Sequence, residues 1–404
     1  MAHLILFDAD VRHHLLPLTY ARPVGDLRVG ILTIREKWER QLGMPASFLT
    51  QDYLAELFPL RYGAHNLLIN GSILPTPELV ALVLDLAIGE AYLKDGELIA
   101  ACLGEAAIEA LASDQDIGDL KGYELDEESL PCLRRPADIF MLNDAAIRAD
   151  FALLTAGRTS AAVSDTNTII GPREHLFVEE GVEMEACTLN VRSGPIYLGK
   201  DAAVLEGCLL RGPIALCDKA VLKMGAKVYG ATTLGPSCKV GGEVNNVVFQ
   251  ANSNKGHDGF LGNAAIGEWC NIGAGTDASN LKNDYGEVQV WSYPEGRFAK
   301  TGLQFHGLIM GDHSKAGINT MFNTGTVVGF SANIFGEGFP RTFLPSFSWG
   351  GAGGVTTYRM DKAIATAERV MARRQEVFTA AHGRLFEAVS LASGEGEGRG
   401  TVVG

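Results

Sequence analysis

Positive charge is scarce in this chain. It has 34 Lys and Arg against 48 Asp and Glu, a formal net charge of -14. No basic stripe offsets that excess, which argues against nucleic acid as a partner. Small anionic substrates stay open, because a local site can oppose the global sign. No apolar run approaches the roughly 18 residues of a membrane span. Leu4-Ile5-Leu6-Phe7 before Asp8 is too short for a signal-peptide core. The seven cysteines are odd in number and contain no C-x-x-C pair, so a disulfide framework is not expected and a reducing cytoplasm fits.

What is present is a repeat. Leu198, Val204, Leu210, Leu216, Leu222, Val228, Leu234 and Val240 place an aliphatic residue at every sixth position. Neither a helix nor an ordinary strand has that period. A parallel β-helix does, since each face of its prism needs one aliphatic side chain pointing inward. Four places on stand mostly small residues: Ala202, Cys208, Ile214, Ala220, Ala226, Thr232, Cys238 and Val244. Cys208 and Cys238 therefore read as buried thiols. The repeat runs from about Ile169 to Phe335. It breaks between Asn280 and Leu308, an inserted arm, and resumes with Met310, Ala316, Phe322, Val328 and Ile334.

Residues 1–155 read as an α/β domain with a largely parallel sheet. Leu4–Phe7 and Leu67–Ile69 are strands. Thr33 to Gly43 is a helix, with Thr33 and Glu36 spaced as a capping box. Pro77 to Leu93 and Glu105 to Ala112 are helices. The repeat domain is expected over 165–345, a single helix over 355–390 carrying Met360, Ile364, Ala367 and Met371 on one face, and a disordered tail over 391–404. Arg369, Arg373 and Arg374 on that helix read as a solvated face.

Gly256-His257-Asp258-Gly259-Phe260-Leu261-Gly262-Asn263-Ala264-Ala265-Ile266-Gly267, then Asn271-Ile272-Gly273-Ala274-Gly275-Thr276, carries the first resemblance. It resembles the acetyltransferase domain of the GlmU family, the bifunctional UDP-N-acetylglucosamine pyrophosphorylase / glucosamine-1-phosphate N-acetyltransferases. That family has G-H-x-x-Y-L-G-D-A-x-I-G followed by N-I-G-A-G-T on a left-handed parallel β-helix. The resemblance implies that His257 is the general base. An amine attacking a thioester must shed a proton, and imidazole titrates near neutral pH. It further implies that Asn271 contacts the sugar, that Asn280 lies near His257, and that the Ala274 backbone faces the acetyl thioester of acetyl-CoA, where its N–H would stabilise an oxyanion. The other reading of His257 is a histidine that only lines a corner loop.

Two departures stand out. Phe260 and Asn263 replace the family's tyrosine and aspartate. The family's phosphate-holding lysines align near Asn245 and Gly286, leaving Lys227, Lys255 and Lys282 as nearby replacements. The acceptor then differs from glucosamine-1-phosphate, because charge-assisted hydrogen bonds supply most of such binding.

Leu15-Leu16-Pro17-Leu18-Thr19-Tyr20-Ala21-Arg22-Pro23 resembles the L-x-P-L-T-x-x-R-P-K segment of sugar-phosphate nucleotidyltransferases. That implies a Rossmann-like domain joining a sugar-1-phosphate to a nucleoside triphosphate with Mg²⁺. Here Asp8 to His14 stands where the family's glycine loop belongs, and Val24 replaces its lysine. Arg22 and Arg28 are the candidates for the phosphates. Asp8 and Asp10 are candidate Mg²⁺ ligands, or caps of the turn after the strand. Asp144, expected at the end of a strand over Phe140–Leu142, is a third. His13 and His14 are expected to shape the loop. Asn70-Gly71-Ser72 stands where the family has a metal aspartate. Arg28–Trp38 and Pro345–Gly351 further resemble divergent GlmU-like proteins of Bacteroidetes-type bacteria. The resemblance also implies a cytoplasmic homotrimer with the acyl site between subunits.

Two alternatives remain. One is an acyltransferase alone, with an N-terminal domain that only binds a nucleotide-sugar. The other is a non-enzymatic trimeric scaffold.

Overall fold

A computed structural model describes residues 2–113, 115–126 and 130–396. The chain forms two compact units. The first holds 1–15, 21–27 and 32–134; the second holds 16–20, 28–31 and 135–404.

In the first unit the elements are β1 (His3–Phe7), α1 (Val11–His14), α2 (Ile34–Leu42), β2 (Ala46–Leu49), β3 (Asn66–Asn70), α3 (Pro77–Leu84), β4 (Glu90–Lys94), β5 (Glu97–Leu103), α4 (Glu105–Ala112) and β6 (Lys121–Glu124). The sheet order is β2-β1-β3-β5-β4-β6. Pairs β1–β2, β1–β3 and β4–β6 are parallel, while β3–β5 and β4–β5 are antiparallel. The sheet is thus mixed rather than largely parallel. The α2 capping box is formed: Glu36 N–H donates to Thr33 Oγ1 at 3.1 Å and Thr33 N–H to Glu36 Oε2 at 2.7 Å. Gly43, at φ 68°, closes that helix in the left-handed conformation glycine tolerates.

The helix expected to reach Leu93 stops at Leu84. The chain turns at Gly89, φ 90°, and enters a hairpin whose tip, Asp95-Gly96, has φ 51° and 80°. Two positive φ values in sequence are the demand of the tight turn that Asp-Gly serves best. The signal was in the sequence, but the apolar spacing of 77–93 obscured it.

In the second unit the repeat is a parallel β-helix. Leu198 pairs with Leu216 and Leu216 with Leu234, each 18 residues on. Val204, Leu222 and Val240 align on a second face, and Leu210 and Val228 on a third. Three strands per coil, six residues each, explain the period. All eight aliphatics are buried, as are the residues four places on, and all of them but the polar Thr232 belong to one continuous hydrophobic core. All seven cysteines are free thiols, with Cys208 and Cys238 buried. The inserted arm is an antiparallel hairpin of Gln289–Ser292 with Arg297–Lys300, and its Trp291 stacks on Phe343 at 4.2 Å.

The segment expected to end in a strand at 140–142 is helical instead: α5 (Ala137–Met141) and α6 (Asn143–Thr155). These helices belong to the β-helix unit and tie short segments to it. Asn143 Oδ1 accepts from Gly30 N–H at 2.7 Å and its Nδ2 donates to the Ala231 carbonyl at 2.7 Å. Asp150 accepts from Ile31 N–H at 2.7 Å. The C-terminal region forms two helices, α7 (Met360–Ala372) and α8 (Ala380–Gly396), not one. The break contains Gln375 at φ 64°. Residues 391–396 of the expected tail lie in α8, and 397–404 fall outside the described residues.

Candidate functional site

Two cavities lie where the sequence motifs fall, one in each unit. The first, of about 1030 Å³, opens at the strand ends of the N-terminal sheet. Asp10, His14, Ser72, Lys94, Asp95, Glu97, Cys132 and Arg134 supply its polar lining. Lys94 and Glu97 flank the Asp95-Gly96 tip, and Arg134 pairs with Glu97 at 3.8 Å. None of these three was singled out from the sequence. The hairpin signal at Asp95-Gly96 would have drawn attention to them.

The expected phosphate and metal groups are differently employed. Asp8 is buried and engaged. Its Oδ1 accepts from Val24 N–H at 2.7 Å, and its Oδ2 accepts from Thr50 Oγ1 at 2.6 Å and faces Arg12 at 3.5 Å. Arg12 also donates to Tyr53 Oη at 2.6 Å and to the Arg22 carbonyl at 3.3 Å. Asp8 therefore organises the loop from residue 8 to 24. Burial raises its pKa, against the opposing pull of Arg12, Thr50, Val24 and His13. Arg22 is buried, 7% exposed.

Arg28 belongs to the β-helix unit. Its N–H and Nε donate to Gln250 at 2.6 and 3.2 Å, and its Nη1 donates to the Ile31 carbonyl. That leaves it a brace rather than a phosphate clamp. Ser72 is buried and donates to Asn70 Oδ1 at 2.8 Å. Asp144 is exposed on α6, paired with Arg148 at 2.6 Å. It belongs to the second unit, whereas Asp8 and Asp10 belong to the first. Among the described residues no cluster of three His, Cys, Asp or Glu is arranged to hold a metal ion. Asp10 is the member of the expected set that lines the cavity.

The second cavity, of about 490 Å³, lies over one corner of the β-helix. Successive coils stack Lys223, Gly241, Gly256, His257, Asp258 and Ala274 around it. His257 and Ala274, 17 residues apart, are thus brought together by one coil of the helix. His257 is exposed. The Ala274 carbonyl accepts from Asn319 N–H at 2.7 Å, while its own N–H has no protein acceptor among the described residues.

Lys255 lies beneath. It pairs in register with Val240, so it occupies an inward position that an aliphatic holds in the coil before. It is 1% exposed, and its Nζ donates to the carbonyls of Gly241 at 3.1 Å and His257 at 3.0 Å. Burial lowers its pKa to about 8, with Asp277 and Asp258 opposing. This lysine braces the His257 loop from inside the prism and is not placed to bind a sugar phosphate.

The other expected substrate contacts do not line this cavity. Asn271 lies exposed on the strand Asn271–Ile272. Asn280 donates to Asn263 Oδ1 at 2.7 Å. Lys227 pairs with Glu243 at 3.5 Å and Lys282 with Asp284 at 3.2 Å, both near the surface.

Comparison with known proteins accords with this division. Residues 4–159 match the family model "Sugar nucleotidyl transferase". The bifunctional protein GlmU of Rippkaea orientalis is 27% identical over 165 residues, covering 39% of this chain and 31% of the relative. A bifunctional sugar-1-phosphate nucleotidylyltransferase/acetyltransferase of Sulfurisphaera tokodaii is 28% identical over 144 residues, 35% of each chain. A GlmU of Geotalea uraniireducens is 25% identical over 223 residues, 49% of this chain and 44% of the relative. The chain thus spans less than half the length of these curated relatives. Among solved structures, an N-acyltransferase, AntD, from Bacillus cereus with bound dTDP and coenzyme A is 11% identical over 53% of this chain and all of its own. The TM-score of that likeness is 0.22. Residues 4–159 are thus similar to a sugar nucleotidyl transferase domain, here followed by a parallel β-helix, and the chain is similar over part of its length to proteins named GlmU and to a bifunctional nucleotidylyltransferase/acetyltransferase.

Proposed function

We propose that the chain is a transferase of nucleotide-sugar synthesis whose β-helix moves an acetyl group from acetyl-CoA to an amino-sugar phosphate. The observation that carries this reading is His257 and the unpaired Ala274 N–H on one cavity. The sugar amine attacks the thioester carbonyl. His257 takes the amine proton, the Ala274 N–H donates to the developing oxyanion, and the thiolate leaves. The charge-neutral replacements near Asn245 and Gly286, with Lys227 and Lys282 already paired, favour an acceptor other than glucosamine-1-phosphate.

The N-terminal unit, on this reading, binds a sugar-1-phosphate and a nucleoside triphosphate in the larger cavity. Lys94 and Arg134 are its cations for phosphate. Mg²⁺ takes one or two carboxylates plus substrate phosphates rather than an all-protein cage. Asp10 beside a bound triphosphate is the arrangement this unit offers.

A second reading is an acyltransferase whose N-terminal unit binds a nucleotide-sugar without turning it over. The internal engagement of Arg28 and Asp8 favours it. Pyrophosphate release from UTP or dTTP with several sugar-1-phosphates separates the two. Release supports the bifunctional reading; its absence alongside acetyl-CoA consumption supports the second.

A trimer belongs to either reading. Met224 and Ile318, 70% and 73% exposed at the corner that carries His257, are the apolar residues a neighbouring copy would cover. A cytoplasmic location is supported by the free thiols, and no helix among the described residues is long and apolar enough to cross a membrane.

A further inference from the structure

The inserted arm borders a third cavity, of about 640 Å³, against the β-helix. The arm's hairpin is held in place by Trp291 on Phe343 at 4.2 Å and by Tyr293 edge-on to Phe343 at 5.8 Å. Thr301 Oγ1 donates to the Val288 carbonyl at 2.8 Å at its base. Ser279 enters the lining just after the strand Asp277–Ala278, and Asn323 and Thr324 follow that strand's register partner Met321–Phe322. Thr342 precedes Phe343, while Asn283 and Gln289 come from the arm.

The charged groups of this lining are each neutralised. Lys282 pairs with Asp284 at 3.2 Å, and Asp284 also accepts from Gly286 N–H at 2.9 Å. The Asp284 carboxyl is held below its usual range by Gly286 N–H first and Lys282 next. Glu287 faces Lys300 at 3.7 Å and accepts from Gly302 N–H at 2.6 Å. Neither a phosphate nor a cation meets an unopposed charge there. The uncharged groups are in the opposite condition. Among the described residues the side chains of Asn283, Gln289, Asn323 and Thr342 make no hydrogen bond to the protein. Ser279 Oγ donates to the Leu281 carbonyl at 3.1 Å and shares a bond with Thr324 Oγ1 at 2.8 Å, so each hydroxyl keeps acceptor capacity. Amides and hydroxyls both donate and accept, which matches sugar hydroxyls. Leu281 and Val288 add apolar contact for the C–H face of a ring.

This cavity and the His257 cavity stand at two ends of one strand. Gly275 lines the His257 cavity and Ser279 this one, four residues or at most about 13 Å of extended chain apart. The strand Asp277–Ala278 runs between them, with the Asp277 carboxylate accepting from Phe260 N–H at 2.6 Å.

We propose that the cavity beside the arm is a carbohydrate subsite, which holds an uncharged sugar ring of the acyl acceptor while the acceptor's amine reaches His257. The role in acyl transfer rests on the reading above; the sugar site itself rests on the lining. An acceptor that spans both cavities is longer than one sugar ring. Its class is therefore an amino sugar linked to a second, uncharged sugar, with any phosphate it bears lying outside this cavity.

The test uses the full chain and a panel of uncharged sugars: glucose, galactose, mannose and N-acetylglucosamine, with the disaccharides cellobiose, lactose and N,N′-diacetylchitobiose. Saturation-transfer NMR reads binding. At least one sugar should bind, and Asn283→Ala/Asn323→Ala should weaken it about tenfold, the loss of two hydrogen bonds. Both side chains are exposed, and thermal unfolding checks that the fold is kept. Gln289→Ala, a single change at an exposed position of the arm, is the second variant and should weaken binding severalfold. No binding of any sugar, or equal binding by wild type and both variants, overturns the site. Acetyl transfer to glucosamine and to its β-1,4-linked disaccharide, followed by thiol release, separates the two claims. A KM for the disaccharide that rises in the variants supports the acceptor role. Variant-sensitive sugar binding without transfer to either amine keeps the carbohydrate site and overturns the acyl-transfer reading. Transfer at a KM that the variants leave unchanged, with no sugar bound beside the arm, keeps that reading and overturns the subsite.

Discussion

His257 and Lys255 stand two residues apart and do opposite things. His257 is exposed on a cavity, so His257→Ala should leave the fold intact and cut acetyl transfer about 10²–10⁴-fold with little change in KM, measured by thiol release. Unchanged turnover would remove the general-base role. Lys255 is buried with its pKa lowered from 10.5 to about 8, and so is Lys315. Below about pH 8 both folded and unfolded chains carry these charges, and the full cost of burying them is present. From about pH 8 to 10.5 the unfolded chain holds protons that the folded chain has released, so these groups make stability rise with pH. Buried thiols with raised pKa, such as Cys238, act in the opposite sense. The informative quantity is therefore the difference in denaturant midpoints between wild type and Lys255→Met across that window, which should narrow as pH rises. A pH-independent difference would contradict the assignment. Lys255 was not legible as an inward residue, because the six-residue spacing ends at Val240. Its strand pairs with that of Val240 at a separation of 15 residues, which only the folded register reveals.

His306 adds an acid-side counterpart. It is 1% exposed, packed edge-on against Phe140 at 5.4 Å, and burial lowers its pKa from 6.5 to about 4. The folded chain keeps it neutral while the unfolded chain binds a proton, so stability is lost as pH falls from about 6.5 to about 4. In His306→Gln, part of this acid sensitivity should disappear from urea midpoints measured over the same range.

At the scale of elements, local signals worked where they were complete. The α2 capping box was readable because Thr33, Glu36 and Gly43 all agree. Thr33→Ala should lower the stability of the N-terminal unit by about 1 kcal/mol in urea unfolding, and Thr33→Ser should restore most of it. The β-helix was legible from its period alone. Leu216→Ala, at 0% exposure in the middle of a face, should cost about 2–5 kcal/mol. Elsewhere signals competed. Apolar spacing favoured one helix over 77–93, while Gly89 and Asp95-Gly96 favoured a hairpin, and backbone conformation prevailed. Phe140-Met141-Leu142 read as a strand by apolar run, yet Asn143 and Asp150 gain buried partners only when that segment is helical. Such partners lie far along the chain and leave no local trace.

For the molecule as a whole, the net charge of -14 made nucleic acid an improbable partner. The trimer has a direct test. Sedimentation should give three times the chain mass, and Met224→Glu/Ile318→Glu should shift it toward the monomer. A monomer in the wild type would sink the expectation. The nucleotide reading is separable by thermal shift: UTP or dTTP at about 100 times its Kd should stabilise by about 2.7 kcal/mol the unit that binds it.

The sequence by itself determined the β-helix, the alternation of strands and helices before it, and the motif that holds His257. Each is written in local spacing, which is enough where the same side-chain demand recurs every few residues. Only the tertiary structure decided which charged groups are available for chemistry. Asp8 and Arg28 match a family segment or flank one, yet each is consumed by partners elsewhere in its own unit. Lys94, Glu97 and Arg134 match nothing and line the larger cavity. Lys255 turns inward. A charged side chain's role depends on what surrounds it in space, and that surrounding is assembled from residues the local pattern does not connect.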